Sequence, residues 1–186
     1  MARAGECHHA RAMAAVETRY RYLVVDEDGI GSDLRRGLAV LLSAILDDGE
    51  RYRRRAWRTL RPAFRVVAVQ ADGEPVGQAS CFWVPTRPPI RLIGLGDVAV
   101  APDHRRRQVA RTVCGLAVQE AWRLHGAAIL LKTKPLRTVF ADLGFEAATG
   151  GRFFYVENGR PTVHSDWMAA VSAELPATIE LEEGDF

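Results

Sequence analysis

The stretch Gly96-Asp97-Val98-Ala99-Val100-Ala101-Pro102-Asp103-His104-Arg105-Arg106-Arg107-Gln108-Val109-Ala110 decides the fold. Its first part continues an apolar run from Ile90 and reads as a central strand. Pro102 and Asp103 make a turn, and three arginines follow at the mouth of a helix. A helix N-terminus presents unpaired N–H groups and the positive end of its dipole, and both attract a pyrophosphate. Arg105, Arg106 and Arg107 can add charge-assisted hydrogen bonds, each worth roughly 1.5–3 kcal/mol. The layout is that of a site for a phosphate-bearing ligand.

Downstream of this stretch, Val109, Val113, Leu116, Ala117, Ala121 and Leu124 follow the 3.6-residue period, which predicts a helix over Arg107 to His125 stopped by Gly126. Ala127 to Thr133 is a second buried strand, and Leu136 to Leu143 a short helix ended by Gly144. Upstream, Ala71-Asp72-Gly73-Glu74 is a hairpin turn between strands Phe64 to Gln70 and Val76 to Val84. Pro85 to Pro89 is a loop. Tyr20 to Val25 is a first strand. Ser32 or Asp33 caps a helix to about Leu46, with Leu34, Leu38, Leu41, Leu42 and Ile45 on one face. Arg51 to Leu60 is a basic segment expected to be helical, Arg152 to Val156 a strand, Asn158-Gly159 a turn and Ile179 to Leu181 a last strand. Strands and helices mix around one sheet, so the class is α/β or α+β: a central mixed β-sheet flanked by helices. A single domain is expected over residues 19–186, with residues 1–18 a weakly patterned, flexible start.

Composition narrows the partners. A net charge of +2 does not point to nucleic acid. Lysine occurs only at 132 and 134, the other basic residues being arginine, which makes the better phosphate fork. Cys7, Cys81 and Cys114 are odd in number and lack metal-ligand spacing, so buried free thiols in a reducing, cytoplasmic setting are expected, with no metal. No apolar run reaches the roughly 18 residues of a membrane span. Met1 to Ala15 lacks the apolar core of a signal peptide.

The residues of the central stretch also match a known family. The chain resembles the GCN5-related N-acetyltransferases over about Phe64 to Phe145. Asp97-Val98-Ala99-Val100 with Pro102 is similar to that family's central strand and exit turn. Arg105 to Ala110 stands where the family has its pyrophosphate loop, Arg/Gln-x-x-Gly-x-Gly/Ala. Phe140-Ala141-Asp142-Leu143-Gly144-Phe145 resembles its Tyr-x-x-x-Gly-Phe segment. Asp103 to Arg107 is similar to the loop of the aminoglycoside 2′-N-acetyltransferases. Arg61 to Arg65 through the hairpin, with Ala101-Pro102-Asp103, is similar to the nodulation N-acyltransferase that acylates a glucosamine amine. The resemblance implies acetyl-CoA or another acyl-CoA as co-substrate, or an acyl carrier protein in the nodulation branch. It assigns cofactor contacts to Val98, Ala99, Val100, Arg105, Arg106, Arg107, Gln108, Val109, Ala110 and Phe140. Backbone groups of Val98 and Val100 are implied to pair with the pantetheine arm, and amides of Arg105 to Ala110 to cradle the pyrophosphate. A backbone N–H near Val98 is implied to be the oxyanion donor. Two features depart from the family pattern: in the loop Gln108 replaces a glycine and Arg106 stands where many members have another, and Phe140 replaces the tyrosine that in many members protonates the leaving thiolate.

Acylation needs a neutral amine, yet only about one in a thousand lysine-like amines is neutral at pH 7. A base must take the proton, directly or across a water. Asp97 interrupts an apolar strand, where a carboxylate is costly unless partnered or used. It reads as the base, as a structural hydrogen bond at a strand bulge, or as a substrate contact. His104 reads as an exposed turn residue or a second base, and Cys81 and Cys114 as core thiols. His164, Asp166 and Asp185 are candidate substrate contacts. The expected function is direct transfer of an acyl group, acetyl first, from acyl-CoA to a primary amine of a small molecule such as an aminosugar. Alternatives are acylation of a protein amine or of an aminoacyl-tRNA amine, the RNA acceptor being the one the basic Arg51 to Arg58 segment favours, and a non-catalytic acyl-CoA-binding module, motivated by Gln108 and Phe140. A homodimer is compatible with the chain.

Overall fold

The apolar run after Ile90 becomes the middle strand of a seven-stranded sheet. The computed structural model describes residues 19–46, 49–53, 56–57 and 60–182. The expectations for residues 1–18 and for Asp185 lie outside the described residues. In chain order the elements are β1 (Arg21–Asp26), α1 (Ser32–Ile45), α2 (Gly49–Tyr52), β2 (Phe64–Val69), β3 (Pro75–Val84), β4 (Thr86–Arg87), β5 (Leu92–Val100) and α3 (Val109–Arg123). They continue with β6 (Ala128–Lys132), α4 (Arg137–Ala141), β7 (Glu146–Ala147), β8 (Phe153–Glu157), β9 (Arg160–Thr162), β10 (Trp167–Val171) and β11 (Ile179–Leu181). The main sheet runs β1-β2-β3-β5-β6-β10-β7, and a smaller sheet runs β4-β11-β8-β9. Within the main sheet β5 and β6 are parallel, with α3 as the crossover between them, and the other pairs are antiparallel.

Period-two alternation divides the core between two faces. Phe64, Val66, Ala68, Ile93, Leu95, Ile129 and Leu131 pack against Val113, Ala117 and Ala121 of α3. On the opposite face, Val67, Val69 and Ala99 receive Leu38, Leu41 and Leu42 of α1. Farther along that face, Leu92, Ala128 and Leu130 are covered by Phe153, Ile179 and Leu181 of the small sheet. A fully buried leucine contributes roughly 1.5–3 kcal/mol, so Leu38 and Leu42 alone anchor α1.

Several expectations change. The expected strands Arg152 to Val156 and Ile179 to Leu181 form β8 and β11, but their pairing in a second sheet and the strand β10 are not anticipated: β10 is Trp-Met-Ala-Ala-Val, whose alanines carry weak strand propensity. The loop Pro85 to Pro89 contributes β4 to the small sheet. Helix over Arg51 to Leu60 reaches only Tyr52 among the described residues. The N-cap of α1 is Gly31, with no side-chain cap from Ser32 or Asp33. Helix α3 starts at Val109 rather than Arg107, because Gln108 is left-handed at φ 64°. At its other end His125, not Gly126, takes the left-handed conformation, at φ 57°. Gly126 instead permits close approach, since a Cβ there would lie 3.1 Å from Ile93 Cδ1.

Gly77 on β3 seats the start of α3 in the same way. A Cβ at Gly77 would lie 2.5 Å from Val109 Cγ1. Gly77→Val is therefore expected to destabilise by about 1–3 kcal/mol through overpacking. At roughly 2–4 °C per kcal/mol for a chain of this size, thermal unfolding reads the change directly. An unaltered Tm would show that α3 is not seated on Gly77.

Candidate active site

One extra residue in β5 shapes the site. Gln78 faces Ala99 and Ser80 faces Gly96, so two steps along β3 match three along β5. This is a β-bulge, and Asp97 within it is left-handed at φ 48°. Aspartate tolerates this region better than most residues. The extra residue resets the alternation. Val98 and Val100 after the bulge face the same core as Ile93 and Leu95 before it. Asp97 presents its carboxylate to Tyr52, whose hydroxyl donates to Oδ1 at 2.6 Å. The main-chain carbonyl of Asp97 accepts from Gln78 Nε2 at 2.5 Å. Of the readings of Asp97, the structural hydrogen bond at a strand bulge is observed: the bulge places the carboxylate against Tyr52.

The same strand then parts from its neighbour. β5 pairs with β6 only from Leu92 to Leu95, opposite Ala128 to Leu131. Among the described residues, the rest of β5 pairs with β3 alone. Ala101 N–H donates to the Val76 carbonyl at 2.9 Å. Successive strand residues present their N–H groups to opposite edges, so Val98 and Val100 present theirs away from β3. The Val100 carbonyl is reached there by Arg105 Nε at 3.3 Å. An extended chain bearing amide groups has an open strand edge to pair with.

Below that edge runs a groove of about 550 Å³, within the usual range for ligand pockets. Val98, Val100, Arg105, Arg106, Gln108, Val109 and Ala110 line it, with apolar Leu136 and Val139 opposite. Arg107 joins Arg105 and Arg106 around an adjoining surface cleft. Helix α3 has no acid in its first turn and no side-chain cap. Thr112 N–H makes its first backward bond, 2.9 Å to the Gln108 carbonyl. The N–H groups of Val109, Ala110 and Arg111 therefore precede the helical ladder and face the arginine-lined end. An acyl-CoA fits this arrangement, with an open strand edge for its amide-bearing arm and helix amides plus guanidinium groups for its phosphates.

The remaining expected residues divide between the core, the small sheet and the groove. Ala99 packs on the α1 side. Phe140 is 2 % exposed and meets Phe145 edge-on at 5.5 Å, so it is a core residue and not part of the groove lining. His104 is not a free turn residue: its Nδ1 hydrogen-bonds Tyr20 at 2.9 Å and it lines the groove. His164 stacks on Tyr155 and meets Trp167 edge-on, and Asp166 is buried beside them at the start of β10. Burial pushes the Cys81 thiol well up, aided by Cys114 and Glu120, and raises Cys114 to about 12. Neither supplies a thiolate nucleophile at neutral pH. No described group of three or more His, Cys, Asp or Glu residues could hold a metal. No described helix is long and apolar enough to cross a membrane.

The sequence reading did not single out Tyr52, Gln78, Arg65 or Glu27. Arg65 and Gln78 did carry a signal, as long polar residues inside strands that are buried at every position but Trp83. Gln108 carries the other lesson. The loop keeps the left-handed geometry of a glycine without having one, at a cost of roughly 1–2 kcal/mol. Gln108→Gly is expected to gain up to about 1 kcal/mol, while β-branched Gln108→Val loses more than that. Thermal unfolding should rank the three Gly, Gln, Val from most to least stable.

Residues 34–145 match the family model described as Acetyltransferase (GNAT) family. No curated protein sequence matches the chain significantly. A GNAT family N-acetyltransferase (YhbS) from Escherichia coli, solved with CoA, is similar at TM-score 0.68 and 17% identity, covering 88% of this chain and 90% of that one. An acyl-CoA N-acyltransferase from Pseudomonas aeruginosa reaches TM-score 0.59 at 15% identity, covering 82% and 99%. The NatC complex bound to Gag peptide and CoA gives TM-score 0.59 at 16% identity, covering 83% and 99%. These likenesses extend the fold beyond the matched segment. The bulged, parted strand and the arginine-lined helix start both lie within residues 34–145, and on that match the chain belongs to the GNAT family of acyl-CoA-dependent N-acyltransferases.

Proposed function

We propose that the protein transfers an acyl group, acetyl first, from acyl-CoA to the primary amine of a small molecule, with an aminosugar as the leading acceptor class. The parting of β5 from β6 directly after Leu95, beside the bulge at Asp97, carries the proposal. Acyl-CoA supplies an activated thioester. The backbone of Val98 and Val100 holds its pantetheine arm as an added strand. The first-turn amides of α3 with Arg105 and Arg106 hold the pyrophosphate. Val98 N–H polarises the thioester carbonyl, as a fixed backbone donor does most effectively in a dry site. Asp97, steadied by Tyr52, takes the proton of the incoming amine directly or through a water. The amine nitrogen forms the new amide bond, the carbon–sulfur bond breaks, and the thiolate takes its proton from solvent. Phe140 has none to give.

The small-molecule acceptor is favoured by the walls of the face that Asp97 addresses. Tyr52 of α2 stands on one side, and farther along the same face lies the small sheet formed by β4, β8, β9 and β11. A compact amine suits a site bounded on two sides. Acceptor screening by mass spectrometry, with aminosugars, peptides and aminoacyl-tRNA as separate arms, tests the class. Acylation of peptides alone would overturn it.

Two measurements test the chemistry. Acetyl-CoA at about 100 times its Kd should stabilise the protein by roughly 2.7 kcal/mol, a Tm rise of about 5–11 °C. No rise at millimolar acetyl-CoA would remove the co-substrate. Asp97→Asn should lower kcat/KM by about 10²-fold or more while acetyl-CoA still binds. Full activity of that variant across pH would take the base role from Asp97.

A further inference from the structure

Arg65 is wholly buried at 0 % exposure, and its partners lead to the bulge. Its Nε donates to Glu27 Oε2 at 2.7 Å, and its Nη1 donates to Gln78 Oε1 and to Ser80 Oγ, each at 2.9 Å. Its Nη2 donates to the Ala56 carbonyl. A guanidinium has donors only, so Arg65 forces the oxygen of the Gln78 amide toward itself. The Gln78 nitrogen then donates twice, to Ser80 Oγ at 3.1 Å and to the Asp97 carbonyl at 2.5 Å. Arg65 already has Glu27, Ser80 and the Ala56 carbonyl as acceptors. Gln78 therefore does something at its far end that solvating Arg65 does not require.

What it fixes is a peptide plane. The Asp97–Val98 peptide is planar and trans, so its carbonyl and its N–H point in opposite directions. Pinning the carbonyl toward Gln78 on β3 aims the Val98 N–H away from β3, to the side where Val98 lines the groove. We infer that Gln78, oriented by Arg65 and Glu27, is a positioning residue that aims the Val98 N–H at the thioester carbonyl oxygen. The inference rests on the acyltransferase function proposed above. The left-handed Asp97 gives the peptide a conformation it would otherwise leave, and the hydrogen bond from Gln78 holds it there.

Two variants separate this from support of Arg65. Gln78→Glu keeps an acceptor for Arg65 but cannot donate to the Asp97 carbonyl. Gln78→Met loses both. Each should lower kcat by roughly 10- to 100-fold, with KM for acetyl-CoA changed by less than about threefold. A second readout needs no acceptor: the infrared carbonyl stretch of bound acetyl-CoA, isotopically labelled at that carbon. It should be shifted to lower frequency in the wild type and return toward the free value in both variants. Should Gln78→Met fail to fold, Gln78→Glu decides alone. A folded variant with wild-type kcat and an unmoved carbonyl stretch overturns the inference and leaves the acyltransferase function standing. A wild-type protein that does not bind acetyl-CoA overturns both.

Discussion

The site depends on one residue too many in β5. Without the bulge, alternation would turn the residues after Asp97 to the other face, and Val98 and Val100 would leave the core they share with Ile93 and Leu95. The bulge also bends and twists the strand where its pairing with β6 ends at Leu95. A carboxylate addressing one face, two backbone edges addressing a groove, and an exit toward the helix start therefore follow from a single local irregularity. Regular strand geometry supplies none of the three.

Such an irregularity needs support, and the polar network beneath it provides that at its own cost. Burying a guanidinium is unfavourable unless its donors are met, and removing one partner of a buried pair is worse than never having built it. Arg65 meets Glu27, Gln78, Ser80 and the Ala56 carbonyl, tying together β2, β3, the turn after β1 and the segment after α2. Glu27 is itself braced by Arg35 of α1, whose Nη1 lies 3.4 Å from its Oε1. The elements that must stay in register around the bulge are those the network joins. A hydrophobic cluster could fill the same volume but could not orient an amide.

The strand, turn and helix that border the groove were legible in the sequence because they are made of local pattern. A buried run, a Pro-Asp turn, arginines and a 3.6-period helix occupy contiguous positions, and their order alone places a strand edge beside a helix N-terminus. Strands β2, β3 and β6 were read for the same reason. What escaped is built from long-range pairing. β11 joins β8 in parallel and β4 in antiparallel fashion, which no local pattern encodes. Strand β10 hides in a short alanine-containing run. Tyr52 reaches Asp97 from forty-five residues away, and nothing near Tyr52 in the chain announces it. Only the polar interruptions at Arg65 and Gln78 were visible in principle, as residues that a buried strand must justify.

Gln108 and Phe140 show what a family pattern does and does not constrain. Glycine at the loop position is a means to positive φ, and Gln108 reaches φ 64° without it, so the position demands a conformation more than a residue. Phe140 fills the core edge-on to Phe145, a packing role the aromatic ring performs with or without a hydroxyl. The two substitutions therefore act on different links of the chain from sequence to function. Gln108 changes the energy of a geometry that survives. Phe140 leaves the packing in place and has no proton to give.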